Sequence, residues 1–451
     1  MSPTESRWLT DNFAPVTEEV TATDLTVTGT IPEDLVGRYL RNGPNPIGAV
    51  DPSTYHWFTG TGMVHGVRLR DGKAEWYRNR WVRSPEVAEA LGEEAPPSPY
   101  GDDVRIFASN TNVIGHAGTT LAIVEAGAPP IELTYDLDTV GPTDFQGTLE
   151  HPFSAHPKRD PITGELHVVT YFWAWGEKLR YLIVGTDGKV RHSVDVPVPG
   201  SPMVHDTAIT ETYAVLYDLP CTFDLEAAMA GASLPYRWNP DYGARVGLIP
   251  REGQAEDVRW FEVEPCYVFH PLNAYDTPDG KVVLDHVRWP RIFDTDHTGP
   301  SEGPTRLERW TIDPAADKVI EETLDDRAQE FPRHDERILG RRHRYAYSAA
   351  LDFGTGFGHG AAIKYDLASG RTEVRDFGPG RATGEMVFVP RSADALEDDG
   401  WLISFVHDRA SDRSDLVILH AQDFGGDPVA VVHLPQRVPF GFHGNWVPDT
   451  A

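Results

Sequence analysis

The stretch from Phe269 to Asp276 reads Phe-His-Pro-Leu-Asn-Ala-Tyr-Asp and places His270 inside an apolar run. A histidine in such surroundings needs a partner, because an unpaired polar group is costly to bury. Three more histidines, His156, His205 and His443, have apolar or small neighbours of the same kind. The spacing of these four positions carries the prediction of the fold and of the site.

Two glutamates lie in equally apolar settings. Glu330 precedes Phe331-Pro332, and Glu385 precedes a run from Met386 to Pro390, whereas surface glutamates rarely have such neighbours. Together with the four histidines they form a series spaced by 49, 65, 60, 55 and 58 residues, which averages about 57. A loose repeat of this length is typical of the blades of a β-propeller.

Short strand signals and turns fill most of the chain. Apolar segments such as Leu166 to Phe172 alternate with turns such as Asp160 to Gly164, while helical patterns are restricted to residues 82–103 and to Asp224 to Ala232. Dividing 451 residues by the repeat gives about 7.9. We therefore predict an all-β fold, a seven-bladed β-propeller with a tail and insertions, with six or eight blades as alternatives.

The position of His443 near the last residue predicts how the two ends of the chain pair. His443 lies eight residues from the last residue, which is too few for three more strands. We predict that strands from the N-terminal region complete the last blade, and that residues 1–30 form a tail with an edge strand near Asp24 to Thr30. Periodic apolar segments continue from Leu25 to Val447 without a linker, so we expect residues 1–451 to form a single domain.

Charge and composition exclude several classes of function. The 40 basic and 69 acidic residues give a net charge of −29, which repels nucleic acid and anionic lipid headgroups. We expect no nucleic-acid partner and at most peripheral contact with a membrane. Without a signal-like segment or an apolar run near the roughly 20 residues of a membrane span, we expect a cytoplasmic protein. Cys221 and Cys266 lack a CxxC spacing and are expected to be free, buried thiols.

One polar residue on the innermost strand of each blade would converge on the axis of a propeller. Four neutral imidazoles there suit divalent iron, zinc, copper or nickel. With no carboxylate or thiolate among the ligands, an ion that prefers six ligands keeps two open positions, enough for dioxygen beside an organic substrate. Zinc, which is usually tetrahedral, would be saturated. We predict iron(II), Fe(2+), with a loop and helix cap over this axial metal site.

A ligating histidine needs an acceptor on its other ring nitrogen. Glu330 and Glu385 are suited to that, and Glu125, which ends the apolar run Leu121-Ala-Ile-Val-Glu125, has the same character. The alternative is that these residues are structural and that the protein is a non-catalytic propeller that binds a partner.

These motifs resemble those of one known family, the carotenoid cleavage oxygenases, which also includes stilbene- and phenylpropene-cleaving members and the retinal pigment epithelium isomerase. The resemblance runs nearly from end to end and, besides the segments around His205 and His270, rests on Asn12–Val16, Tyr39–Pro46, Gly62–Gly66, Ser154–Lys158, Asp160–Leu166, Glu330–Arg333, Gly384–Arg391 and Gly441–Gly444.

The resemblance implies roles for particular residues. The family's four iron ligands match His156, His205, His270 and His443. Its outer glutamates match Glu125, Glu330 and Glu385, which would orient His205, His270 and His443 in that order, and His156 would lack a carboxylate partner. Thr111 matches a threonine whose methyl group crowds one open coordination position in many members.

The resemblance also implies an activity. Similar enzymes cleave a carbon–carbon double bond of a small apolar conjugated substrate with dioxygen and release two carbonyl products without a reductant. Val124 stands where stilbene-cleaving relatives carry a lysine that holds a phenolate, so we expect a carotenoid or apocarotenoid. The acidic, proline-rich segment 84–100 differs from the apolar one of membrane-dipping members and fits a soluble, shorter substrate better. The alternative activity is cleavage of a stilbenoid or phenylpropenoid double bond to an aromatic aldehyde.

Overall fold

A computed structural model describes residues 6–101, 104, 106–351 and 359–449. The first five residues of the predicted N-terminal tail therefore lie outside the described part of the chain. Within that part, strands greatly outnumber helices, as the sequence predicted. The Cα packing divides the described residues into two compact units.

The first unit holds the described residues of Met1–Ile123, Pro130–Thr143 and Arg344–Ala451. The second holds Val124–Pro129 and Asp144–His343. The expectation of one domain over residues 1–451 stays a prediction.

The sheets of the first unit are antiparallel, and their strands are given in hydrogen-bonding order. One sheet contains Thr21–Ala22, Lys73–Trp81, Gly62–Arg70, Gly37–Pro44 and Gly444–Pro448. Another contains Thr26–Gly29, Ala430–His433, Arg413–His420 and Gly400–Asp408, with Arg381–Thr383 and Val387–Pro390 both paired to the last of these. A third sheet contains Asn112–His116, Thr119–Ile123, Ile131–Leu133 and Thr139–Pro142. The strands Tyr345–Leu351, His359–Asp366 and Arg371–Arg375 pair in a further sheet.

The second unit contains three four-stranded antiparallel sheets. Their strands are Lys158–Arg159, Leu166–Tyr171, Lys178–Val184 and Val190–Pro197; Ala208–Ile209, Tyr213–Asp218, Arg245–Pro250 and Arg259–Glu262; and Tyr267–Asp276, Val282–Trp289, Arg306–Asp313 and Lys318–Asp325. A small hairpin joins Cys221–Phe223 to Tyr236–Trp238, and a further strand spans Gln329–Arg333.

Helices are few and short. The α-helices Pro85–Leu91 and Leu225–Met229 fall in the two segments predicted to be helical, and Ser84 and Asp224 cap their N-termini. Short 3₁₀ turns span Arg7–Leu9, Asp11–Phe13, Trp57–Thr59, Trp173–Trp175, Ala255–Asp257, Glu336–Ile338 and Ala421–Asp423. No helix of the described residues is long and apolar enough to cross a membrane. The cap over the axial site stays a prediction.

Turn chemistry accounts for the tight hairpins. Strands Gly62–Arg70 and Lys73–Trp81 are joined by Asp71 and Gly72, whose φ angles are 50° and 67°. Two central residues with positive φ are the mark of the two-residue hairpin that matches the twist of its strands, and an Asp-Gly pair favours it. The predicted turn from Asp160 to Gly164 likewise joins two paired strands.

The two cysteines are free and buried, as predicted. Burial raises the pKa of the Cys266 thiol to about 12. Burial also raises the pKa of Cys221. Both side chains therefore stay as neutral thiols near neutral pH and act as small apolar residues.

Strands from both ends of the chain pair within the first unit. Strand Thr26–Gly29 pairs with Ala430–His433 and completes the sheet formed by the C-terminal region. In return, Gly444–Pro448 pairs with Gly37–Pro44 in the sheet formed by the N-terminal region. The predicted completion of the last blade by N-terminal strands is confirmed, and the exchange runs in both directions.

The close approach of Gly43 and Gly441 is part of this closure. A Cβ atom added to Gly43 would lie 2.7 Å from the Cα atom of Gly441. Beside them, the backbone N–H of Asn42 donates to the carbonyl of His443, and that of Phe442 donates to the carbonyl of Asn42, both at 3.0 Å. A side chain at position 43 would separate the two segments and move His443.

We predict that Gly43→Ala lowers the free energy of unfolding by about 1–3 kcal/mol, because it overpacks two backbones that cannot separate without breaking these hydrogen bonds. Chemical denaturation measures the loss. Gly425→Ala is the control, since a Cβ there meets no atom within 4 Å. Equal stability of the two variants would show that the contact is unimportant for closure.

Candidate metal centre

Three of the predicted histidines meet in the second unit. The Nε2 atom of His205 lies 2.9 Å from Nε2 of His156 and 3.1 Å from Nε2 of His270. All three side chains are buried. Nitrogen atoms of three rings are thus close enough to bind one metal ion.

His443 belongs to the same group. Its side chain is buried, and its backbone N–H donates to the carbonyl of Thr111 at 3.0 Å. Each of the four predicted histidines offers one ring nitrogen, and these atoms all lie within 4.8 Å of one another. The four buried histidines could therefore bind a metal ion, and no other group of this kind is found in the described part of the chain.

A local irregularity of the strand lies at His270. The strand Tyr267–Asp276 is buried along nearly its whole length, and its pairing register shifts between Val268 and Pro271 and again before Asn273. Pro271 has no N–H to donate to the ladder. A bulge of this kind re-aims a side chain, and bulges are frequent beside functional sites.

Three of the histidines donate from Nδ1 to a glutamate. The pairs are His205 to Oε1 of Glu125 at 2.8 Å, His270 to Oε2 of Glu330 at 2.5 Å, and His443 to Oε1 of Glu385 at 3.0 Å. They are the pairs that the family resemblance implied. Such a bond fixes the tautomer that leaves the Nε2 lone pair free for a metal.

The glutamates are themselves held in place. Glu330 accepts the indole N–H of Trp289 at 2.7 Å and the backbone N–H of Phe331 at 2.6 Å. Glu385 accepts the backbone N–H of Gly444 at 2.8 Å. These donors leave little freedom for the carboxylates to turn away from the imidazoles.

Glu125 and its surroundings shift the titration of His205. The Tyr171 hydroxyl donates to Oε1 of Glu125 at 3.3 Å. Burial lowers the pKa of His205, whereas the carboxylates of Glu125, Asp206 and Glu330 raise it, and the net shift of the pKa is upward. The carboxylates thus attract positive charge to this ring, which a proton or a metal ion can supply.

Thr111 is buried, and its hydroxyl donates to Oδ1 of Asn110 at 3.0 Å. Its backbone N–H donates to the carbonyl of Ile123 at 3.2 Å. The hydroxyl is therefore engaged, and the side chain has a fixed direction. Its role at an open coordination position stays a prediction.

The expectation that His156 lacks a carboxylate partner stays a prediction, although one carboxylate lies close to this ring. Oδ2 of Asp206 lies 3.6 Å from Nδ1 of His156, and Asp206 is only 3% exposed. Sequence reasoning missed this residue although it directly follows His205. In the sequence, an Asp beside a ligand does not show which histidine ring it approaches. The hydrogen bond from Trp289 to Glu330 is likewise not visible in the sequence.

The sheets and the four histidines define a class of protein: a seven-bladed β-propeller with a buried site for a metal ion. A family model described as "Retinal pigment epithelial membrane protein" matches residues 13–448. The chain belongs to that family, which includes the carotenoid cleavage oxygenases.

Individual relatives agree with this assignment. A "Carotenoid cleavage oxygenase" of Mycobacterium tuberculosis is 50% identical over 99% of this chain and 98% of that protein. An "Isoeugenol monooxygenase" of Pseudomonas nitroreducens is 32% identical over 98% of each chain. The crystal structure of Pseudomonas brassicacearum lignostilbene dioxygenase superposes with a TM-score of 0.89 at 29% identity, covering 98% of this chain and 99% of that one. The predicted propeller is confirmed, and the chain is an oxygenase.

We predict that Glu330→Gln lowers metal affinity about 10–100-fold, because a neutral amide is a weaker acceptor for Nδ1–H of His270 than a carboxylate. Competition with a chelator of known affinity measures the change. Trp289→Phe is the matched control, since it removes one donor to Glu330 and leaves the charge in place. An affinity of Glu330→Gln equal to that of the wild type would refute the role of this contact.

Proposed function

We propose that the chain is an iron(II) dioxygenase that cleaves a carbon–carbon double bond of a carotenoid or apocarotenoid to two carbonyl products. The observation that carries the proposal is the meeting of four buried imidazole nitrogens with no carboxylate or thiolate among the ligand atoms. Such a set is neutral, so the ion keeps its charge and its remaining positions for reactants.

Two separations of the nitrogen atoms suit ligands at right angles, as on a six-coordinate ion such as iron(II). With metal–nitrogen bonds of about 2.1 Å, ligands at right angles lie about 3.0 Å apart, and ligands at tetrahedral corners lie about 3.4 Å apart. The distances of 2.9 and 3.1 Å from Nε2 of His205 fit the first arrangement. Four histidines on a six-coordinate ion leave two positions open.

The residues of the chain hold and insulate this centre. When bound, iron(II) would supply the place where dioxygen and the double bond react. Glu125, Glu330 and Glu385 fix the proton of their imidazoles at Nδ1, which leaves the Nε2 lone pairs for the metal, and they would offset the charge of the dication without being among its ligands. An alkene and dioxygen give two carbonyl groups with atoms and electrons in balance, so no reductant and no general acid or base is required.

One residue position and one relative support an apolar polyene as the substrate. Val124 is 6% exposed and apolar where a lysine would hold a phenolate, and it directly precedes Glu125. An apolar residue next to the metal-supporting glutamate suits the apolar end of a polyene. The relative at 50% identity is named for carotenoid cleavage.

A second candidate is cleavage of a phenylpropenoid or stilbenoid to an aromatic aldehyde. The relatives named for isoeugenol and lignostilbene span nearly the whole chain. The acidic, proline-rich segment 84–100 also suits a shorter, more polar substrate than a long polyene.

We expect the iron-loaded protein to consume dioxygen with an apocarotenal and to release two carbonyl products, while isoeugenol and resveratrol react slowly or not at all. Oxygen uptake and product analysis under air, without a reductant, provide the measurement. Products from the aromatic substrates alone would replace the carotenoid assignment with the second candidate. Binding without any oxygen uptake would favour the non-catalytic propeller.

Val124 offers a sharper test of substrate class. We predict that Val124→Lys lowers kcat/KM for an apocarotenal by about tenfold or more, because a buried ammonium is poorly matched to an apolar chain. Val124→Met, which keeps an apolar residue, should change kcat/KM much less. Unchanged cleavage of the apocarotenal by the lysine variant would mean that this position does not contact the substrate.

A further inference from the structure

An ion pair joins the two segments that carry His156 and His205. Lys158 lies two residues after His156, and Asp206 directly follows His205. The ammonium of Lys158 lies 2.9 Å from each carboxylate oxygen of Asp206. The same two segments approach each other at the Nε2 atoms of His156 and His205, which are 2.9 Å apart. The ion pair thus adds a second link between these segments.

We propose that Asp206, held in place by Lys158, is a fourth carboxylate of the metal centre and positions His156. The inference rests on the proposed function only in so far as the four histidines bind a metal ion. It gives every one of the four histidines a carboxylate on the side of the ring away from the metal, where the family resemblance implied three.

The geometry shows that Asp206 faces the ring of His156. Its Oδ2 atom lies 3.6 Å from Nδ1 of His156, and its Oδ1 atom accepts the backbone N–H of Thr207 at 2.6 Å. A separation of 3.6 Å exceeds a direct hydrogen bond and leaves no room for a water between the two atoms. Asp206 therefore acts on His156 through its charge and its contact, strengthened by the low dielectric of a buried site.

Charge balance explains why this carboxylate is paired with a lysine. Three glutamates already exceed the charge of a dication. A fourth unpaired carboxylate would add more negative charge to a buried site, which is costly. Lys158 cancels that charge and holds the carboxylate toward His156. The side chains of Lys158 and Asp206 are 17% and 2% exposed, so the pair is shielded from solvent at the carboxylate.

A purely structural ion pair makes a different prediction. Buried ion pairs contribute little net stability compared with apolar residues of similar size. If the pair only joined two segments, its loss would change the stability of the fold without a selective effect on one metal ligand. A positioning role predicts that the largest change is at His156, with a smaller one at His205, whose ring also feels the charge of Asp206.

The test compares Asp206→Asn with Asp218→Asn in the full chain. Asp218 is 1% exposed, pairs with Arg245 at 2.7 Å and belongs to the same unit, so it controls for the loss of a buried charge. Titration with cobalt(II) alone should show an affinity about 10–100-fold lower for Asp206→Asn and near the wild-type value for Asp218→Asn.

The spectroscopic readout is the set of hyperfine-shifted ring N–H resonances of the cobalt(II) protein. Asp206→Asn should move the resonance of His156 most strongly. That resonance is the one of the four that is not moved most strongly by Glu125→Gln, Glu330→Gln or Glu385→Gln. Lys158→Met should move the same resonance as Asp206→Asn. Lys158→Arg keeps the cation and should restore both the resonance and the affinity.

Two outcomes would overturn the inference: an unmoved fourth resonance in Asp206→Asn, or an equal loss of cobalt affinity in Asp218→Asn. The proposed function fails separately, because a wild-type protein that binds cobalt with four ring resonances but cleaves no alkene when loaded with iron would leave the role of Asp206 intact. A wild-type protein that bound no metal would overturn both.

Discussion

The site depends on holding one ring nitrogen from each of four histidines within reach of the others, with its lone pair directed to a cation. Two lone pairs at 2.9 Å, as in His156 and His205, repel unless a cation or a proton lies between them. Glutamates on the far side of three of the rings help to meet this requirement. Each accepts a hydrogen bond from Nδ1, which fixes the proton there and raises the basicity of Nε2. The negative charge is thus available to a cation, yet none of the carboxylates occupies a ligand position.

The closure of the first unit serves the same constraint. Strand Gly37–Pro44 pairs with Gly444–Pro448, and the side-chain amide of Asn42 donates to the carbonyls of Ser109 at 2.7 Å and Asn112 at 3.0 Å. The backbone of Asn42 also binds that of His443. Asn42 thus fixes both His443 and the segment that carries Thr111.

The sequence predicted the spaced elements of this protein better than the contacts between them. The period of about 57 residues follows from blade architecture, so the four histidines and the glutamates at 330 and 385 could be selected from apolar context alone. The approach of Asp206 to His156 could not, because it depends on how two loops meet. The register shifts at Pro271 and the positive φ of Phe331, 54°, likewise depend on tertiary packing rather than on local preference.

On the proposed function, Glu125 supports a metal ligand, and the residue directly before it, Val124, helps to select the substrate. Glu125 must face His205 at 2.8 Å, so the direction of its neighbour along the backbone is constrained as well. A change at position 124 can therefore alter the surface offered to a substrate while the carboxylate keeps its place. On the proposed function, position 124 can therefore change the choice of substrate without any change in the metal ligands.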